Sequence, residues 1–589
     1  MKKISQLSLG TSVMIPLLTA SVSCGNKIKE KEKNNEELSL EEVQELKEIN
    51  KNVPISYKVF IDDIKDSAKN DYPTVFLGRN AGQVFNSTFM QLSGILNYKN
   101  ASKNKFNDAI YIINDNVFQY EKRGTNQRFD FKKLLDKYGD VLSKTASGDF
   151  NVEDGKLMIV NNTKHIDPSS DNPYKDYPAN VEEIKSYLKL YLDKGVEQFN
   201  FYLADATFRE LCDNHPDTMQ WIFNRANKIS IMSDGMYQPY KFIRDWYYKW
   251  AVERNKVYTQ QELRDFWNKN ILEKPKNYMD LRYFINFKEK VKLFNFDGKY
   301  DASLNKIMQK TRKDDNFQTE IFDYPVNYNF IKSDIEFNNS YFDDYEIINK
   351  LFNKEISDYI VYGKDNYDSL KKNIIFIGSS LFRRYKPDDP TSELRLESAS
   401  HQYARDEIYK FIKKVRTLYP ENKYNYFYKL HPVYKGNEAI HYVNVLTNKM
   451  DKKPIILDPS ISWENLISSD YKKLQDNQSV FFDKNDFKGD STKSLIYGLQ
   501  ATTTVIPTTV AFLKGTFDIT LDQSKQFVNI KNFPISNSFD ILKRDKHFDD
   551  PDDAFKHNVG TWRTVFKYFI NSGRFFDEED LVSTNTFIK

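Results

Sequence analysis

The feature that most limits what this chain can fold into is a recurring apolar run of strand length, stopped at both ends by polar turn residues. "DAIYIIND" (108–115), "KLMIVNN" (156–162), "EQFNFYLAD" (197–205), "NKISIMSDG" (227–235), "NIIFIGSS" (373–380) and "KPIILDP" (453–459) all have this form. A continuous run, rather than strict alternation, marks a strand buried on both faces, as in a parallel sheet. Amphipathic segments lie between the runs, among them "VEEIKSYLKLYL" (181–192) and "ARDEIYKFIKKVRTLY" (404–419). Strands that alternate with helices over this length predict a parallel α/β sheet. "ISYKVFIDD" (55–63) alternates and reads as an opening strand, with "PTVFLGRN" (73–80) as the next.

The pattern occurs in two stretches. Residues 54–240 read as an N-terminal α/β domain and residues 371–560 as a second one. Between them, 241–370 reads as a helical insertion and linker, led by the aromatic-rich "KFIRDWYYKWAVERNK". Residues 561–589 read as a closing helix and tail around "WRTVFKYFINSGRFF". The expected fold is therefore α/β, with two Rossmann-like domains facing across a cleft. With 44 Phe and 38 Tyr the chain has ample apolar area for two cores. In sheets of this kind ligands bind outside the carboxyl ends of the strands.

The N-terminus predicts a compartment. Lys2 and Lys3 precede the short apolar stretch "LSLGTSVMIPLLTA", and Cys24 follows small residues in "SVSCG". This is the pattern of a lipoprotein signal over 1–23, with Cys24 diacylated and the chain anchored to the outer face of the cell membrane. A plain secretory signal with an incidental Cys is the alternative. Residues 24–53 are charged and poor in aromatics, a solvated tether. The only other cysteine is Cys212, so no disulfide within the ectodomain is expected. The formal charge is +3, from 86 basic and 83 acidic residues, which argues against nucleic acid as a partner. The seven histidines lie at no metal-ligand spacing, and no metal or cofactor is expected. No nucleophile elbow, P-loop or dinucleotide fingerprint is present.

Four places fall at, or just past, predicted carboxyl ends of strands: Asp234, Gly378, His431 and the turn at 500–504. Each has a chemical reading and a structural one. Asp234, followed by Gly235, can project into a cleft as a general base or cap its own turn. His431, stiffened by Pro432, can aim a donor at developing negative charge or be satisfied by neighbouring backbone. Lys429 shares the face of His431 on an alternating strand and can meet the same ligand. Thr502 and Thr503 begin a helix-like segment whose amides and hydroxyls suit an anion, or plain capping. Glu464, in the first turn of a predicted helix, can accept from a ligand's hydroxyls or complement the helix dipole. Gly378 permits close approach of a ligand.

In this order, four segments resemble motifs of the bacterial two-domain sialyltransferase family of GT-B fold. "IMSDGMYQPY" is similar to the segment carrying that family's general base, with Met232 and Ser233 in place of a Tyr and an Asp. "YKLHP" is similar to its K-G-H-P motif, with Leu430 in place of Gly. "ISWENLISSD" is similar to the segment whose Glu holds the donor ribose, and "GLQATTT" stands where serines grip the donor phosphate. The resemblance implies inverting transfer of sialic acid from CMP-sialic acid to a galactoside hydroxyl, without a metal. Asp234 and His431 would be catalytic. Lys429, Pro432, Glu464, Thr502, Thr503 and Gly378 would bind the donor. The substitutions leave a second reading: a catalytically silent surface lipoprotein of the same fold that binds a glycan or another small ligand. A third is a transport lipoprotein whose lobes close on a nutrient.

Overall fold

The structure is a computed structural model. It describes residues 58–77, 82–100, 109–113, 131–138, 142–143, 157–161, 178, 180–233, 290–295, 322–323, 344, 347, 355–378, 399–431, 434, 436–449, 452–459, 461–486, 492–499, 509, 512–513 and 517. The first unit runs α1 (Lys58–Lys69), β1 (Thr74–Leu77), α2 (Gly82–Asn100), β2 (Ala109–Ile113), α3 (Phe131–Tyr138), β3 (Leu142–Ser143) and β4 (Leu157–Asn161). It continues through α4 (Val181–Tyr187), α5 (Lys189–Asp193), β5 (Phe199–Ala204), α6 (Asp205–Asn214), α7 (Pro216–Arg225), β6 (Ala226–Met232), β7 (Val291–Asn295) and β8 (Phe322–Asp323). The second unit runs β9 (Ile360–Tyr362), β10 (Lys372–Ile377), α8 (Ala399–Leu418), β11 (Tyr424–Lys429), α9 (Gly436–Leu446), β12 (Ile455–Leu457), α10 (Trp463–Lys472) and β13 (Ser494–Gly498).

The first sheet has eight strands in the order β3-β4-β2-β1-β5-β6-β7-β8, all paired in parallel. The second has five, in the order β13-β10-β11-β12-β9, parallel except for the antiparallel edge strand β9. Both are doubly wound, so the chain is α/β with two Rossmann-like units, as expected. α10 of the second unit packs against α2 of the first.

Two sequence expectations are corrected. The segment 55–63 was expected as a strand, but Lys58–Lys69 is a helix. Phe60, Ile64 and Ala68 recur every four residues and are fully buried, so the helical period governs. The span 241–370 was expected as a helical insertion, yet it supplies strands to both sheets. β7 and β8 extend the first sheet beyond β6, and β9 closes the edge of the second. β7 qualifies because Val291, Leu293 and Phe294 are buried against β6. The segments 241–289 and 561–589, and with them the expected closing helix, lie outside the described residues.

The two cores share a plan. In the first, Phe76 on β1 lies between Tyr111 on β2 and Tyr202 on β5 in register. Its ring stacks on Tyr202 at 4.9 Å and meets Tyr111 edge-on at 5.9 Å. In the second, Phe376 on β10 lies between Tyr428 on β11 and Tyr497 on β13, at 5.3 Å and 5.9 Å. Such pairs add about 0.5–1.5 kcal/mol each beyond their buried area.

Both amino edges are pinned by asparagine. Asn200 of β5 donates to Asn70 (2.9 Å) and Thr74 (3.4 Å) and accepts from Asn227 (2.9 Å). Asn425 of β11 donates to Asn373 of β10 (3.0 Å), which donates to Ser494 of β13 (3.1 Å) and to the Val480 carbonyl (2.7 Å). Asparagine is a poor strand residue. Buried in pairs, it is fully engaged and locks the amino ends, leaving the carboxyl ends to carry loops.

Candidate functional site

In the second sheet the strand order reverses between β10 and β13, which makes their carboxyl ends the topological switch point. The Leu499 amide donates to the Ile377 carbonyl there (2.8 Å), and the Gly378 amide to the Lys429 carbonyl (2.9 Å). Gly378 is thus seated between β10 and β11. A Cβ on it would meet Leu430 Cδ2 at 2.9 Å, so the Leu430 side chain already fills the space that the glycine leaves.

Lys429 is buried, with 2% exposure. Its ammonium donates to the Leu430 carbonyl (2.6 Å) and the Pro459 carbonyl (3.2 Å), tying the end of β11 to the loop after β12. His431 follows, half-buried, and its carbonyl accepts from the Tyr434 amide (3.1 Å), which closes a four-residue turn. Proline at the second position, residue 432, suits such a turn. Tyr434 is buried and packs on Tyr442 of α9 with ring centroids 4.0 Å apart, which fixes where the turn lies.

The loop that Lys429 holds leads into α10. Ser462 caps this helix by accepting from the Asn465 amide (3.2 Å), which puts Glu464 in its first turn. Glu464 is buried, at 5% exposure. The Trp463 indole donates to Thr509 (2.9 Å), joining the start of α10 to a residue beyond β13. Further along α10, Asp470 is fully enclosed. It accepts from the Ser479 hydroxyl (2.5 Å) and the Val480 and Phe481 amides (2.8 Å each). Burial outweighs these bonds and pushes its carboxyl up to about 6. Burial also pushes Asp486 up to about 6; it accepts from the Asp483 and Lys493 amides. Together these two carboxyls fold the connection from α10 into β13.

At the first sheet the order reverses between β1 and β5. Asp205 opens α6 there and is buried at 2% exposure. Neighbouring β6 ends at Met232, whose sulfur accepts from the Gln91 amide of α2 (3.4 Å). The Ser233 amide donates to the Phe294 carbonyl of β7 (2.8 Å), so β6 is fixed up to the residue before Asp234.

A separate polar centre lies under α1. Asp63 is fully buried and accepts from Tyr202 (2.9 Å), Ser230 (2.7 Å), Lys228 (3.1 Å) and Lys292 (3.1 Å). Burial raises its pKa, but the two lysines and the hydroxyl bond together bring it below the usual carboxylate value. Burial and the Asp63 charge push the Tyr202 phenol well up, so it remains a donor.

Of the residues expected to act, Gly378, Lys429, His431 and Glu464 lie at the carboxyl edge of the second sheet. Asp234, Pro432, Thr502, Thr503 and Cys24 lie outside the described residues. Asp205, Asp63 and Asp470 were not foreseen from sequence. Lys228 and Ser230, polar and on one face of a buried strand, are the signal that would have flagged the Asp63 centre. Among the described residues, no group of three or more His, Cys, Asp or Glu is placed to hold a metal. Among them too, no helix is long and apolar enough to cross a membrane.

No protein-family model matches the chain, and no curated protein does. Solved structures similar to it include an alpha/beta-galactoside alpha-2,3-sialyltransferase from the luminous marine bacterium Photobacterium phosphoreum. That likeness covers 78% of this chain and 98% of the other, at 13% identity and a TM-score of 0.38. Another is a sialyltransferase from Photobacterium damsela, covering 81% of this chain and 80% of the other, at 14% identity and a TM-score of 0.38. At these values the functional reading has to stand on the residues of the chain itself.

Proposed function

We propose that the chain is a glycosyltransferase of sialyltransferase type. It transfers sialic acid with inversion from CMP-sialic acid to a galactoside hydroxyl. The observation that supports this most is that Gly378, His431 and Glu464 all lie at the carboxyl edge of one doubly wound sheet, in the chain order of the family motifs. The nucleotide would lie across that edge, with Glu464 accepting from its ribose hydroxyls. Amides and hydroxyls at Thr502 and Thr503 would hold the phosphate. In the reaction, Asp234 takes the proton of the acceptor hydroxyl as its oxygen bonds to the anomeric carbon. The bond from that carbon to the phosphate oxygen breaks, and CMP leaves with the electron pair. His431 donates to the phosphate as that charge builds, a contribution of roughly 3–4 kcal/mol for a well-aimed donor. Lys429 holds the loop after β12 against β11 and so sets the spacing between His431 and Glu464. In this reading the protein is held on the outer face of the cell membrane by lipid on Cys24, and needs no metal or cofactor.

One observation favours the silent-lipoprotein reading. The Leu430 side chain fills the space over Gly378, where the family has a second glycine. Transfer assays with CMP-sialic acid and lactose separate the two. An active chain loses turnover on Asp234→Ala by about 100-fold or more, the ordinary weight of a general base. A chain with no turnover, no donor hydrolysis and no response to Asp234→Ala belongs to the second reading.

A further inference from the structure

The amino edge of the second sheet, opposite the candidate site, carries a row of lysines. Lys372 opens β10, and its amide donates to the carbonyl of Lys423, the residue before β11 (3.3 Å). Ile455 lies opposite Phe427, so Lys452 and Lys453, just before β12, fall level with the start of β11. β9 runs antiparallel to β12, with Tyr362 opposite Ile456. Asn366 donates to the Pro454 carbonyl (3.2 Å), which brings Lys364 beside Lys453. With Lys371, these ammoniums spread over four neighbouring strands, about 15 Å at the usual interstrand spacing. All are exposed except the partly buried Lys371. Among the described residues, the carboxylates beside them are Asp358, Asp365, Asp368 and Glu421. Glu421 pairs with Arg416, Asp358 stands 4.0 Å from Lys364, and Asp368 accepts from the Leu370 amide (3.0 Å). Among the described residues the six lysines outnumber these four carboxylates, and Lys372 and Lys453 have partners of their own besides.

Two leucines project from the same edge. Leu370 is 94% exposed and Leu418, the last residue of α8, 57%. Leu370 does not sit on a loose loop. The Lys371 amide donates to the Asp368 carbonyl (3.1 Å). Asp368 is in turn bonded in both directions to the side chain of Asn425 on β11 (3.0 and 2.9 Å). A braced turn therefore presents an apolar side chain to water among lysines.

We infer that this amino edge is a docking surface for an anionic phospholipid bilayer. Leucines suit the boundary between headgroups and acyl chains. Lysines bury their stems there and keep their ammoniums at the phosphates. Each lysine near an anionic surface strengthens binding roughly fivefold. A chain lying on this edge holds His431 and Glu464 at the far ends of the same strands, turned away from the membrane. The inference rests on the edge alone, and needs neither the transfer reaction nor lipid on Cys24.

The test is flotation of the full chain carrying Cys24→Ser with phosphatidylcholine vesicles, with and without phosphatidylglycerol. Neutral vesicles report whatever the apolar leader contributes. Binding is expected to be more than about 100-fold tighter to the anionic vesicles and to weaken as salt is raised. Lys372→Gln/Lys423→Gln/Lys453→Gln should remove on the order of 100-fold of it. Leu370→Ser/Leu418→Ser should remove several-fold, with the melting temperature unchanged because these positions are exposed. Equal binding to both vesicle types, or an unchanged triple variant, overturns the inference. So does binding to duplex DNA as tight as to vesicles and indifferent to the leucine changes, which would mark a polyanion surface instead.

Discussion

The two units centre a phenylalanine between two tyrosines in register and lock their amino edges with asparagine, but they treat a buried carboxyl in opposite ways. In the first unit Asp63 is met by two lysines and held below the usual carboxylate range. It clamps α1 to β5, β6 and β7 by charge. In the second, the donors to Asp470 among the described residues are a hydroxyl and two amides, Lys493 acts on it only through its charge, and burial lifts it to about 6. It folds a loop by hydrogen bonding. The comparison teaches that the two sheets, alike in aromatic core, should fail under different conditions.

The largest effect is expected at the first centre. Asp63→Ala removes the buried carboxylate that Lys228 and Lys292 share and leaves Lys228 only the exposed Asp66 carboxylate (3.1 Å) and the residue-63 carbonyl (2.5 Å); breaking a buried pair from one side costs up to about 3–5 kcal/mol. Chemical denaturation should show that loss confined to the first unit. A smaller loss in Asp63→Leu/Lys228→Met, which removes the two most buried charges together and leaves the more exposed Lys292 and Asp66 to water, would sharpen the point.

The next effect is a response to pH. Asp470 has a folded pKa of about 6 against an ordinary 3.8, so the folded chain binds more protons between those values. Stability of the second unit should therefore rise as pH falls through that window, on the order of 2 kcal/mol from this group. Asp486 acts in the same direction. Asp470→Asn should flatten part of the rise. Asp63 is shifted downward, so its contribution is present above pH 3.8 and is lost as pH falls through its lower folded value. Hydrogen exchange at pH 7, 5 and 3 should show β11–β13 protected more at pH 5 and α1–β6 failing at pH 3. Parallel behaviour of both units would break the comparison.

The smallest effect is expected at Gly378. Its added methyl would meet only the flexible end of Leu430, so Gly378→Ala should cost under about 1 kcal/mol, and nothing once Leu430→Ala makes room. Thermal melts of the single and double variants check this.

Much of this was legible in the sequence, for reasons that can be named. Ile374, Ile375 and Phe376 form a continuous apolar run because both faces of β10 are covered, and such runs are hard to mistake. Gly378 and His431 stood out because they sit where an apolar run stops, and Glu464 because it falls in the first turn of a predicted helix. α1 was misread because Tyr57, Val59 and Ile61 alternate over a few residues, and only Ile64 and Ala68 reveal the helical period. β7 escaped notice because Lys290 and Lys292 interrupt a short strand. The Asp63 centre was illegible because its partners lie 139 to 229 residues away in sequence. That Lys429 holds two carbonyls, and that Leu430 covers Gly378, follows from how two loops meet, which no local pattern encodes.

The central claim is that the carboxyl edge of the second sheet is a nucleotide site. Calorimetric titration of cytidine monophosphate into the full chain tests it most directly. The account predicts saturable binding that is lost in His431→Ala, weakened in Glu464→Ala and kept in Asp234→Ala. No heat of binding in the unaltered chain, or binding indifferent to His431 and Glu464, would contradict it.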